Sequence, residues 1–171
     1  MKKLYQLFCL IIIVSSSIFA QNQGVSIGGN IVQPIGDWEE YTNTGFGISA
    51  SFEQPVAENL LGVLYTGYTY FDGTADGYSW TMIPIVAGLK YYLSSQQEWY
   101  FIGLVGINTT NNKYKIGEAE GTESFTDLEG NASFGFEIQT SESGAIDLSA
   151  GFVFINEQSY VGLRAAYIFK L

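Results

Sequence analysis

The sequence contains no histidine, which removes Ser-His-Asp triads, imidazole general bases and His-ligated metals from consideration. Basic residues are scarce, 7 Lys plus Arg against 17 Asp plus Glu. That balance argues against nucleic acid, whose phosphates demand Lys and Arg, and against docking on anionic lipid through a basic patch. Charge of either sign is thin at 14% while 47% of residues are apolar, the reverse of a disordered chain. A soluble globule carries nearer a quarter charged residues, so something other than water covers part of this surface. The single cysteine, Cys9, sits near the start of the chain. A length of 171 residues leaves room for one domain with a full core.

Residues 1–20 read MKKLYQLFCLIIIVSSSIFA: Lys2 and Lys3, an apolar run from Leu7 to Val14, then small residues ending at Ala20. This is the layout of a secretory signal peptide. The apolar run is too short to cross a bilayer, which takes about 20 residues. Cys9 lies inside that run, a poor position for a lipid-carrying N-terminal cysteine. Removing 20 of the 171 residues leaves a 151-residue domain, 21–171, without cysteine; Lys2 and Lys3 go too, so 5 basic residues face 17 acids, a net of −12.

Past Gln21 no amphipathic helix is legible, and glycine is scattered through the apolar stretches, which disfavours helices. Instead there are eight runs with the alternation of strands, successive side chains on opposite faces. In the last, Val161, Leu163, Ala165, Tyr167, Phe169 and Leu171 oppose Gly162, Arg164, Ala166, Ile168 and Lys170. Phe46, Ile48, Ala50 and Phe52 likewise oppose Gly47, Ser49, Ser51 and Glu53, and Ala132, Phe134, Phe136 and Ile138 oppose Ser133, Gly135, Glu137 and Gln139. The same pattern sets Ile146 and Leu148 against Asp147 and Ser149, Ile83 to Tyr91 against Pro84 to Tyr92 with Lys90, and Val25, Ile27 and Ile31 against Ser26, Gly28 and Asn30. Runs 60–71 and 99–109 are apolar on both parities, and their faces are not assignable.

Connections alternate. Pro34 to Asn43, Asp72 to Gly77, Lys113 to Glu129 and Asn156 to Ser159 look like open loops; Gln54 to Asn59, Ser94 to Glu98 and Thr140 to Gly144 look like tight turns. That rhythm is what an up-and-down meander gives. The expected fold is therefore all-β, an eight-stranded antiparallel up-and-down barrel preceded by a cleaved signal peptide.

Such a barrel closes in two ways. Apolar side inward gives a secreted soluble lipocalin-like carrier of an apolar small molecule; apolar side outward gives a transmembrane barrel. The polar parity holds Gly, Ser and isolated charges, which suits a narrow interior, and the runs have the length of tilted transmembrane strands, about 9–11 residues. Aromatics near run ends (Trp80, Tyr91, Tyr92, Trp99, Tyr100, Tyr160, Tyr167 and Phe169) stand where interfacial girdles would lie. In a soluble barrel the same rings would be core filler. The membrane arrangement is the expected one.

The IPIVAGLKYYL run, the WYFIGLVG run and the C-terminal strand that stops with the chain resemble the small outer-membrane β-barrels of the OmpA/OmpX type, especially the porin-like barrel domains of Bacteroidetes-type bacteria. The likeness spans roughly residues 21–171. It implies a Gram-negative cell envelope, outer-membrane lipid as surroundings and outer-membrane assembly machinery as a partner. Family members typically end on an aromatic residue that the machinery reads. Here Tyr167, Phe169 and Leu171 form the corresponding signal, with Leu171 departing from the pattern.

With the apolar parity toward lipid, Glu53, Lys90, Glu137, Asp147, Arg164 and Lys170 point into the lumen, three acids meeting three bases. Balanced charge is what a packed, ion-paired plug requires. An open channel is not expected, because eight strands leave an interior just wide enough for side chains. Outside, the loops hold Asp37, Glu39, Glu40, Asp72, Asp76, Glu118, Glu120, Glu123, Asp127 and Glu129, with Glu157, against Lys113 and Lys115. Clustered carboxylates are potential Ca²⁺ or Mg²⁺ ligands, but no EF-hand spacing is present, and solvated, mutually repelling loops are the simpler reading. Loops on a rigid barrel are natural contact surfaces for an extracellular ligand or protein, the longest above all. Nothing fixes the spacing of a pair such as Glu118 and Glu120 for glycoside chemistry, and no phosphate-binding loop is present. The expectation is a non-enzymatic barrel without a cofactor, serving envelope structure, surface interaction or minor solute exchange.

Overall fold

The structure is a computed structural model that describes residues 23–93, 98–116, 119–156 and 158–171. The signal segment 1–20 and Glu118 lie outside the described residues. The strands are β1 (Gly24–Ile35), β2 (Gly45–Ala57), β3 (Leu60–Asp72), β4 (Tyr78–Tyr92), β5 (Trp99–Ile116), β6 (Ala119–Ser141), β7 (Gly144–Ile155) and β8 (Gln158–Lys170). Each pairs antiparallel with its chain neighbour, and β8 closes on β1 from Gly24↔Lys170 to Ile35↔Ser159. Closure leaves no edge along the barrel wall, as a bilayer requires, because unpaired backbone groups in hydrocarbon are prohibitively costly.

Period two then sorts the side chains. The apolar rows face out: Phe46, Ile48 and Val105 expose 62%, 68% and 71% of their surface, and Leu163 and Phe134 lie on the same side. Ser49, Ser51, Glu53, Lys90, Glu137 and Asp147 are buried inside. A soluble carrier of an apolar molecule needs the opposite arrangement. The two unassignable runs now have faces. β3 turns Val63, Thr69 and Phe71 inward and Leu64, Tyr68 and Tyr70 outward; β5 turns Tyr100, Leu104 and Asn108 inward and Phe101, Val105 and Ile107 outward.

Three expectations need correction. The stretch Lys113 to Glu129 is not an open loop. β5 and β6 continue as a paired ribbon from Asn108↔Asp127 to Ile116↔Ala119, tied by Thr109–Thr126 and Ser124–Asn111 side-chain hydrogen bonds (3.1 and 2.6 Å) and a Lys115–Glu120 ion pair at 2.8 Å. Loop one also begins late: Pro34 and Ile35 stay in β1, and a short 3-10 helix, Gly36–Glu40, folds Trp38 back into the barrel mouth. Finally, the aromatic girdle is half its expected size. Tyr91, Trp99, Tyr167 and Phe169 face outward, but Tyr92, Tyr100 and Tyr160 are buried in the lumen and Trp80 packs against the core of the mouth. Position near a strand end does not decide the matter; parity does, and these four share the inward parity of their strands.

Candidate functional site: the barrel interior and the loop rim

The lumen is filled in two layers. In the half nearer the tight turns, Lys90 is 1% exposed and its ammonium sits 3.0 Å from Glu53 Oε2, in contact with Glu137 Oε1 and 3.7 Å from Asp147 Oδ2. Strands β2, β4, β6 and β7 thus each deliver one charge to a single point. The ammonium also lies 4.2 Å from the centroid of the Tyr100 ring, a cation–π contact strengthened by desolvation. Tyr92 donates its hydroxyl hydrogen to Glu137 at 2.7 Å, and Tyr100 donates to Asp147 at 2.6 Å. Arg164 on β8 completes the layer, with Nη1 2.9 Å from Asp147 Oδ1, Nε 3.1 Å from Ser49 Oγ and Nη2 on Ser26 Oγ, which bonds Ser51 Oγ at 2.7 Å. Glu137 and Asp147 each meet a cation and a tyrosine hydroxyl, and Glu53 turns both its oxygens to Lys90, the condition under which buried charges are tolerated.

Tyr100 reaches Asp147 by passing the hydroxyl end of its ring over Gly135, its register partner on β6. A Cβ at position 135 would overlap that ring.

Lys170 does not join this layer. It is at the turn-side end, half-buried, donating to Gln139 Oε1 at 2.7 Å. The cluster therefore holds three acids and two bases rather than three of each. Tyr92 and Tyr100 were not singled out from the sequence as members of the layer; the parity running from Lys90 to Tyr92 was the available signal.

The loop-end half is different. Val32, Trp38, Phe71, Met82, Val153, Ile155 and Tyr160 form one buried cluster, with Trp38 4.8 Å from Phe71 and 6.2 Å from Tyr160 between ring centroids. Thr42 Oγ1 bonds the Trp38 carbonyl at 3.1 Å, and Thr74 Oγ1 bonds Glu40 at 2.8 Å, so loop one is fastened to its neighbour as well as plugged into the mouth. Between the two layers lies a cavity of about 80 Å³ bounded by residues that include Asn30, Tyr65, Glu129, Tyr160, Lys90 and Arg164.

Of the rim acids, Asp37, Glu39, Glu40, Asp76, Glu120 and Glu123 are exposed. Asp72 ends β3, accepting a hydrogen bond from the Tyr70 hydroxyl at 2.7 Å, and Asp127 is half-buried on β6. Glu129, expected at the loop surface, is instead 3% exposed inside the barrel. The parity that places Glu137 inward runs back through Gly135, Ser133 and Asn131 to Glu129, and only the misplaced loop boundary hid it. Among the described residues no group of three or more His, Cys, Asp or Glu side chains is arranged to hold a metal ion. At the C-terminus, Tyr167 and Phe169 face outward from β8 with rings 4.8 Å apart, and Leu171 is 71% exposed just past the strand.

No family model matches the chain, and no curated protein matches it. Among solved structures, the chain is similar to Ail, the attachment invasion locus protein of Yersinia pestis, at 13% identity, TM-score 0.67, over 88% of this chain and 99% of that one. It is similar to Neisserial surface protein A at 13% identity, TM-score 0.64, over 87% and 97%. The N-terminal β-barrel domain of Pseudomonas aeruginosa OprF gives 12% identity, TM-score 0.56, over 87% and 100%. At such identities the likeness is one of fold. The fold is an eight-stranded antiparallel up-and-down transmembrane barrel of the outer-membrane type.

Proposed function

We propose that the protein is a non-enzymatic barrel of a Gram-negative outer membrane, exported by residues 1–20, with a closed lumen, and that it acts through its loop rim on a basic partner outside the cell. The observation that carries this reading is the β5–β6 ribbon. β6 pairs with β7 only from Glu129 to Ser141, so Ala119–Leu128 rises past the end of β7 and, among the described residues, has no paired strand on that side. It bears Glu120, Glu123 and Asp127 against Lys113 and Lys115, the latter paired with Glu120, beside a rim that carries Asp37, Glu39, Glu40 and Asp76 and, among the described residues of those two loops, no base. Acidic potential of this kind steers a cationic partner and repels an anionic one. Ail has been crystallised with the heparin analogue sucrose octasulfate; a sulfated polyanion is the wrong sign for this rim. Free solute exchange fits poorly with an ionic layer beneath an aromatic plug. Tyr167, Phe169 and Leu171 are the segment the assembly machinery would read.

The test uses the purified protein reconstituted in liposomes and a basic peptide of alternating Lys and Thr as probe. Binding is expected to weaken steeply with salt and to vanish when residues 112–123 are replaced by a two-residue Asn-Gly turn joining Asn111 to Ser124, the pair that would close the shortened hairpin. Binding that survives the trimming overturns the rim reading. A protein that is monodisperse without detergent, or that migrates identically on gels before and after boiling, overturns the membrane reading.

A further inference from the structure

Glu129 stands outside the ion-pair layer. Its carboxylate is buried and accepts a hydrogen bond from Asn108 Nδ2 at 2.6 Å, but among the described residues no salt bridge reaches it. Lys90 and Arg164 are engaged with Glu53, Glu137 and Asp147, Lys115 is paired on the ribbon, and Lys170 is at the opposite end. The buried lumen acids are Glu53, Glu129, Glu137 and Asp147, and the cations facing them are Lys90 and Arg164, an excess of two negative charges. A buried carboxylate without an ion partner is costly, and the cost is relieved either by taking up a proton or by a bound cation.

A second observation points the same way. Asn108 Oδ1, Thr110 Oγ1 and Asn112 Oδ1, on successive inward positions of β5, and Gln158 Oε1, at the loop end of β8, are buried side-chain oxygens with no hydrogen-bond partner. Buried polar atoms are almost always satisfied, and among the described residues every such atom left over is an oxygen. The register sets Asp127 directly across from Asn108 and Glu123 across from Asn112. Oxygen ligands therefore run from the acidic rim down β5 and β6 to Glu129, which borders the interior cavity. That cavity, at about 80 Å³, has room for an ion and retained water.

We propose that Glu129 and Asn108, with the oxygens above them, bind a divalent cation of the Ca²⁺ type inside the barrel. Ca²⁺ accepts carboxylate, carboxamide and water oxygens in irregular geometry, and two positive charges offset the lumen's excess. The ion's path is the polar row of β5, beside the aromatic cluster that fills the rest of the mouth, and it stops above Lys90 and Arg164, whose charges bar further descent. The lumen is thus a blind well for cations rather than a channel. This inference shares Glu123 and Asp127 with the proposed rim contact but does not require a basic partner to be bound there.

The test is a titration of the purified barrel in detergent with Tb³⁺, a luminescent stand-in for Ca²⁺ that tryptophan and tyrosine rings near the well sensitise, followed by displacement with Ca²⁺. A saturable, Ca²⁺-displaceable signal is expected, weakened about tenfold or more by Glu129→Gln and unchanged by the rim triple variant Asp37→Asn/Glu39→Gln/Glu40→Gln. Asn108→Asp, which adds a carboxylate, is expected to tighten binding and serves also if Glu129→Gln does not fold. The proposal is overturned if no saturable signal appears, if Glu129→Gln binds like the unaltered protein, if the rim triple variant alone abolishes the signal, or if Asn108→Asp leaves affinity unchanged.

Discussion

Both halves of the lumen are filled from the inward rows of the barrel strands, the loop-side half with Trp38 of the 3-10 helix added, yet they are held together by different forces. Toward the turns, Lys90 and Arg164 gather Glu53, Glu137 and Asp147 into a layer in which each ion has an opposite partner. Toward the loops, Trp38, Phe71, Met82 and Tyr160 pack as an ordinary apolar core, beside a carboxylate that accepts a hydrogen bond from a neutral amide. The ionic half depends on every member being present, since desolvated charges tolerate no vacancy. The aromatic half is additive and forgiving, since packing energy is spread over many small contacts. The difference predicts where substitutions will hurt.

The largest effect belongs to Lys90→Met. It keeps the volume but leaves three buried carboxylates around an apolar side chain, at an expected loss of about 3–5 kcal/mol. Urea unfolding in lipid vesicles measures it, and adding Glu137→Gln is expected to restore part of the loss. If Lys90→Met unfolds like the parent, the two halves do not differ in kind. Next is the outward wall. Val105→Arg places a cation on the lipid face of β5 and is expected to destabilise by about 2 kcal/mol or more. The same substitution would be nearly silent in a barrel whose outer face met water, so an unchanged midpoint would contradict the orientation itself.

The two halves also differ in how far they could be read in advance. The ionic half was legible because its inward residues are polar and its outward residues greasy, so Glu53, Lys90, Glu137, Asp147 and Arg164 announced their face by alternation. Strands β3 and β5 erased that signal at both heights. β3 places Val63 and Phe71 inward and β5 places Ile102 and Leu104 there, Val63 and Ile102 directly across from Glu53 and Lys90, so both parities of those strands are apolar and neither face stands out. Trp80, Tyr92, Tyr100 and Tyr160 were misassigned for a related reason: an aromatic ring suits an interface and a core equally well. Lys170 lay on the right parity but beyond the layer's height, which depends on strand stagger and not on sequence spacing. Glu129 was lost with the ribbon, whose Asn, Thr and Ser residues carry little hydrophobic contrast.

Gly135→Ala asks how tightly the ionic half is fitted. The added methyl collides with the Tyr100 ring, which must tilt and loosen its 2.6 Å hydrogen bond to Asp147. Overpacking of this kind costs about 1–3 kcal/mol, and a Tyr100→Ala background should remove the collision and with it the penalty. If the penalty persists in that background, the glycine is needed by the backbone and not by the ring.

The smallest effect tests the edge of the network. Ser49 Oγ accepts from Arg164 Nε at 3.1 Å and donates to Asn30 Oδ1 at 3.1 Å, so Ser49→Ala removes one hydrogen bond from each. Arg164 keeps Asp147 and Ser26, and the guanidinium is the part-exposed member of its ion pair, so water can replace the lost contact. A change of about 1 kcal/mol is expected. In combination with Lys90→Met the two losses should exceed their sum, because Asp147 ties both cations to one carboxylate and coupled residues are not additive. Strict additivity in that double-mutant cycle would mean that Lys90 and Arg164 act as separate pairs, and the ionic half would then be as forgiving as the aromatic one.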